Sequence, residues 1–139
     1  KKNRYPDIFE NIFFDIKHLG RIDSVTKLST IYSASDIFII PSRIESFGQT
    51  AAEAQSCGTP VVGFDIGGLK DIVKNNKNGF LIEPFNSKKM ALAIEDLLTR
   101  KDKFIKFSKA SRKNALDNFD YRKIAKLHIN FYKRILNYE

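Results

Sequence analysis

Short continuous apolar runs dominate the middle of the chain, and helical spacings take over after it. Asp36-Ile37-Phe38-Ile39-Ile40 is an apolar run behind one acid, closed by Pro41. Such runs suit a strand buried on both faces, as in a parallel sheet, and a proline stops it by removing a ladder donor. Pro60 to Phe64 reads as a second buried strand, and Gly79 to Ile82, after the Asn78-Gly79 turn, as a short third. Thr50 to Ser56 is short, alanine-rich and helical, and Cys57-Gly58 closes it with a glycine suited to the C′ position. Gly67-Gly68 turns the second strand into a helix from Leu69 to Lys74. Upstream, Phe13 to Leu19 reads as a strand ended by Gly20, and Asp23 or Ser24 caps a helix through about Ser33. Asn86 or Ser87 caps a helix with Met90, Ala93, Ile94, Leu97 and Leu98 on one face. Two more helices follow, from about Asp102 to Leu116 and from about Asp120 to Asn137.

Strands alternating with helices at this spacing mean βαβ crossovers. The expected fold class is therefore α/β, a Rossmann-like three-layer domain with a mostly parallel sheet. Ligands in such sheets bind beyond the carboxyl ends of the strands. The loops after Leu19, Ile40 and Phe64 are expected at that end.

Composition narrows the reading. The 139 residues suit one domain with a real core. Apolar residues make up 42%, and no run approaches the ~20 needed to span a membrane. The first residues show no apolar segment of a secretory signal. A lone Cys57 excludes an internal disulfide and a cysteine metal cluster, and fits a reducing, cytoplasmic setting. The net charge of +8 has two readings: a phosphate-rich partner, or a lysine-rich soluble surface. No stretch interleaves basic and aromatic residues as an RNA-binding sheet would, so nucleic acid is not expected.

The candidate chemistry sits in the loop after Ile40. Glu45 and Glu53 stand eight positions apart across it, with Gly48 between them. The N–H groups around Phe47, Gly48, Gln49 and Thr50, at a helix start, form a candidate phosphate cradle. Carboxylates beside an anion site make sense as acceptors for sugar or ribose hydroxyls, since charged acceptors make the stronger bonds. Glu53, expected in the first helical turn, also has a structural reading. Thr50-Ala51-Ala52-Glu53 has the spacing of a capping box. Glu45 has no comparable structural reading. Gly67-Gly68 is a second point where backbone could approach a ligand. Cys57 reads as a small buried apolar side chain. His18 and His128 lack metal-spaced companions, and no G-x-G-x-x-G follows a strand.

Tyr32-Ser33-Ala34-Ser35-Asp36 through Pro41-Ser42, then Glu45-Ser46-Phe47-Gly48 to Glu53-Ala54, Cys57-Gly58-Thr59-Pro60-Val61-Val62 and Gly67-Gly68, resemble the C-terminal, donor-binding domain of retaining glycosyltransferases of the group 1 type (family 4, GT-B fold). The similarity continues through Asn78-Gly79-Phe80-Leu81 and Pro84 into the Met90–Leu98 helix. The resemblance implies sugar transfer from a nucleotide-sugar donor of UDP or GDP type to an acceptor hydroxyl, without a metal or other cofactor. Glu45 would contact the transferred sugar and support catalysis, and Glu53 would hold the ribose hydroxyls. Ser46, Phe47, Gly48, Gln49 and Thr50 would face the donor sugar and diphosphate, Gly20, Arg21 and Ile22 would lie near the base, and Gly67-Gly68 would complete the donor site. It further implies a glycan or lipid-linked acceptor, a role in surface polysaccharide or glycolipid synthesis, and a cytoplasmic enzyme with peripheral contact at an anionic inner membrane face. A nucleotide-sugar epimerase of related fold and a non-catalytic Rossmann-like binding module are the alternatives.

Measured against that family pattern, the chain reads as incomplete. An acceptor domain and two strands with their helix are missing from the pattern, together with the Arg/Lys pair that meets the diphosphate. The fragment alone is expected to be inactive. The helix at 120–137 would pack on the missing domain. The Asp36–Ile40 edge left open should be covered by Phe13–Leu19 or by a second copy, because bare edges are a liability.

Overall fold

The computed structural model describes residues 14–136. Three strands, β1 (Phe38–Ile40), β2 (Val61–Phe64) and β3 (Gly79–Ile82), form one parallel sheet in the order β1-β2-β3. Six helices accompany them among the described residues: α1 (Val25–Ala34), α2 (Gln49–Ser56), α3 (Leu69–Ile72), α4 (Ser87–Thr99), α5 (Lys101–Asn118) and α6 (Tyr121–Ile135).

The central strand explains the layering. All four residues of β2 are buried, and neighbouring side chains point to opposite faces. Val61 joins a cluster with Tyr32, Ile40, Ala51, Ala54 and Leu69, under α1, α2 and α3. Val62 and Phe64 join Phe80, Met90, Leu97 and Phe107, under α4 and α5. The result is an α/β domain of three layers. Ser24 caps α1 by accepting from the Lys27 N–H, Asn86 caps α4 through Lys89, and Asp120 caps α6 through Arg122.

The upstream strand is not there. Residues 14–24 form neither helix nor strand, and Phe14 to Gly20 are exposed; Phe13 lies outside the described residues. An extended segment becomes a strand only with a hydrogen-bonding neighbour, and this one has none among the described residues. It therefore does not cover β1, whose one partner there is β2. The edge is blunted instead by its brevity, three residues ended by Pro41. The Asp36–Ile40 strand accordingly loses its first two residues, and the helix expected over Leu69–Lys74 ends at Ile72.

Candidate functional site

The loop between β1 and α2 is shaped by Gly48. It takes φ +91, and a Cβ there would press on Leu69 and Ile72 side chains at 3.2 Å. Gly48 is also the N-cap of α2, and no side chain of the capping residue satisfies the helix start. Glu45 does so from outside. Its Oε1 accepts from the Gly48 N–H at 3.0 Å, and its Oε2 accepts from the Ser42 hydroxyl at 3.4 Å. Glu45 thus has a structural task that its sequence position conceals, with its charge at the positive end of a helix dipole. The Gly48 carbonyl accepts from Ala51 and Ala52. The N–H groups of Gln49 and Thr50 have no partner among the described residues, whereas that of Gly48 is taken by Glu45.

The capping box does not form. With Gly48 as N-cap, Thr50 is the second helical residue and Glu53 lies in the second turn. Glu53 instead accepts from the Tyr32 hydroxyl at 3.3 Å on Oε2 and from Gln49 Nε2 at 3.2 Å on Oε1. Burial first, and the Glu53 charge second, push the Tyr32 phenol from its ordinary 10.0 up to about 12. Tyr32 is therefore a standing donor over the physiological range. Nothing in the Thr-x-x-Glu spacing announces it.

Gly67 and Gly68 approach backbone rather than open space. The Gly68 N–H donates to the Glu45 carbonyl at 3.1 Å. A Cβ on Gly67 would overlap the Glu45 carbonyl oxygen, and one on Gly68 would overlap that of Ser46. The glycine pair seats the Glu45–Phe47 loop. Phe47 packs edge-on against Phe119 with ring centroids 5.8 Å apart, anchoring the loop to the α5–α6 junction.

Two further groups hold α2 in place. Gln55 is fully buried, and its Oε1 accepts from Asn78 Nδ2 and Asn114 Nδ2. The Ser111 hydroxyl donates to the Asn78 carbonyl, which ties α5 to the same network. Glu53 and Gln49 also border an open cleft of about 650 Å³ between α2 and the α5–α6 junction, walled by Phe47, Arg112, Phe119 and Tyr121. Gly20, Arg21 and Ile22 do not line it. Gly20 has φ +67 and nothing near its missing Cβ, and Arg21 pairs with Asp23 at 2.7 Å. Cys57 is half-buried rather than buried.

Residues 11–114 match the family described as Glycosyl transferases group 1. Among curated relatives, the D-inositol 3-phosphate glycosyltransferase of Rhodococcus erythropolis is 35% identical over 108 residues, covering 78% of this chain and 24% of that enzyme. The chain spans about a quarter of the length of the curated relatives it matches. Among solved structures, sucrose-phosphate synthase from Thermosynechococcus elongatus aligns with TM-score 0.75 and 30% identity, over 81% of this chain and 28% of that one. HepE from Anabaena, solved in complex with UDP, aligns with TM-score 0.72 and 28% identity, over 75% of this chain and 29% of its own.

Proposed function

The chain belongs to the group 1 glycosyl transferases, and from that premise we propose that it forms the donor-binding half of a retaining enzyme that moves a sugar from a nucleotide-sugar to an acceptor hydroxyl. One observation carries the reading. The α2 N-terminus presents the Gln49 and Thr50 N–H groups between two oriented carboxylates, Glu45 and Glu53, at the carboxyl end of β1. A diphosphate suits the free amides and the positive helix end. A carboxylate already bonded to an amide suits sugar hydroxyls. The HepE complex with UDP is consistent with a uridine nucleotide as one part of the donor.

In this reaction the acceptor oxygen bonds to the anomeric carbon on the face from which the diphosphate departs. The acceptor proton passes to the leaving phosphate oxygen. Glu45 orients the sugar, and the α2 N-terminus stabilises the charge that grows on the diphosphate. Glu53 binds the ribose. The acceptor is a glycan or lipid-linked hydroxyl, and a second domain packs on the apolar side of α6.

Glu45→Ala in the native protein that carries this chain should lower kcat at least about 100-fold, the scale of losing one electrostatic stabiliser. Sugar transfer is followed by nucleotide release. Near-normal turnover in this variant removes Glu45 from the reaction.

A further inference from the structure

We propose that Tyr32 is a positioning residue for Glu53, itself clamped by Thr59, so that the carboxylate presents its free lone pairs to the vicinal hydroxyls of a ribonucleoside diphosphate. This rests on the reading of Glu53 as the ribose ligand.

The chain of contacts runs from the core outward. Thr59 is 2% exposed, and its hydroxyl donates to the Tyr32 carbonyl at 2.6 Å. Its N–H donates to Ala54 at the end of α2, so one residue joins α1 to α2. The Tyr32 ring, 7% exposed, packs edge-on against Phe38 of β1 with centroids 5.5 Å apart. Backbone and ring are thus both fixed, and the hydroxyl has one place to go, the Glu53 Oε2. At 3.3 Å this is a long O–H···O bond. Its effect is orientation rather than stability.

The lone-pair count fits a diol. An ionised carboxylate offers about four acceptor sites. Tyr32 takes one on Oε2 and Gln49 takes one on Oε1. One site remains on each oxygen, and a ribose supplies two adjacent hydroxyl donors. Without Tyr32 the carboxylate can turn about its last torsion, which is soft. The paired geometry is then lost while the charge remains. Thr59 lies in the Cys57-Gly58-Thr59-Pro60 run, and the acceptor its hydroxyl meets is the Tyr32 carbonyl.

The test is calorimetric titration of the native protein that carries this chain with UDP, GDP and their 2′-deoxy counterparts. Wild type should bind the ribonucleotide at least about 10-fold more tightly than the deoxy form, as a lost charged hydrogen bond implies. Tyr32→Phe should fold normally and cut that ratio about threefold or more. Thr59→Val should cut it in the same direction, and Thr59→Ser should restore it. In a Glu53→Gln background, Tyr32→Phe should change nothing further. A folded Tyr32→Phe protein with an unchanged ratio overturns the inference and leaves the ribose reading standing. A wild-type ratio near one, or no binding of either nucleotide, overturns the ribose reading and the inference with it.

Discussion

Helices α2 and α6 carry opposite lessons. In sequence, α6 is the better amphipathic helix. At about 100° per residue Ile124, Leu127, Phe131 and Ile135 gather on one side. Arg122, Lys123, Lys126, Lys133 and Arg134 gather on the other, and Tyr121–Ile135 contains no acid. Yet none of its residues is buried. Helix α2 is a weakly patterned Gln-Thr-Ala-Ala-Glu-Ala-Gln-Ser, and Ala51, Ala54 and Gln55 are completely enclosed. Small side chains let α2 lie close to the sheet and to α5, where it packs most extensively. Pattern strength measures how much apolar surface a helix offers. It does not say whether its own domain accepts it.

That contrast can be broken by mutation. The largest structural effect is expected at Ala54, where Leu would insert three carbons into a filled space. Ala54→Leu should lower unfolding free energy by about 1–3 kcal/mol in urea titrations. A cost near zero would mean that α2 is loosely held. A smaller effect comes from Tyr32. Its pKa is raised in the folded state, so its contribution is intact below pH 10, where both states keep the proton. As pH rises from 10 to about 12 the unfolded chain deprotonates first, and stability falls. Denaturant midpoints across that window should decline more steeply in wild type than in Tyr32→Phe. The smallest effect belongs to α6. With residues 1–139 expressed alone, Leu127→Ser should alter the stability of this domain by no more than about 0.5 kcal/mol, as for other exposed positions. A larger loss would show that α6 has a partner in the protein as tested.

Much of the fold was legible because its signals are local. The apolar runs at Val61–Phe64 and Gly79–Ile82 end at turn residues, and both strands appear as expected. Ser24, Asn86 and Asp120 sit where a helix start needs an acceptor, and each caps its helix. Over Phe14–Leu19 no strand forms, because strand formation depends on a neighbour that a local pattern does not contain. The site was half legible. The loop, its two glutamates and Gly48 stood out, but the bonds that orient those glutamates did not. Tyr32 reaches Glu53 across 21 positions, and Gln55 reaches Asn114 across 59. In the sequence Tyr32 and Thr59 are only members of longer runs. Their task lies in a contact between α1 and α2.

The sequence by itself determined the order of β1 to β3 and of the helices between and after them, the caps of α1, α4 and α6, and the place of the loop, since each follows from residues within a few positions of one another. The tertiary structure alone decided what the glutamates do at rest. Gly48 takes a left-handed conformation, the Gly67-Gly68 pair lets the loop backbone close on it, and the helix start moves to Gly48. With the cap there, Thr50 and Glu53 are too far along the helix to form a box. Glu45 takes the vacant amide, and Glu53 turns to a tyrosine from another helix. Which acceptor meets which donor depends on distance in space, and only the packed domain sets that.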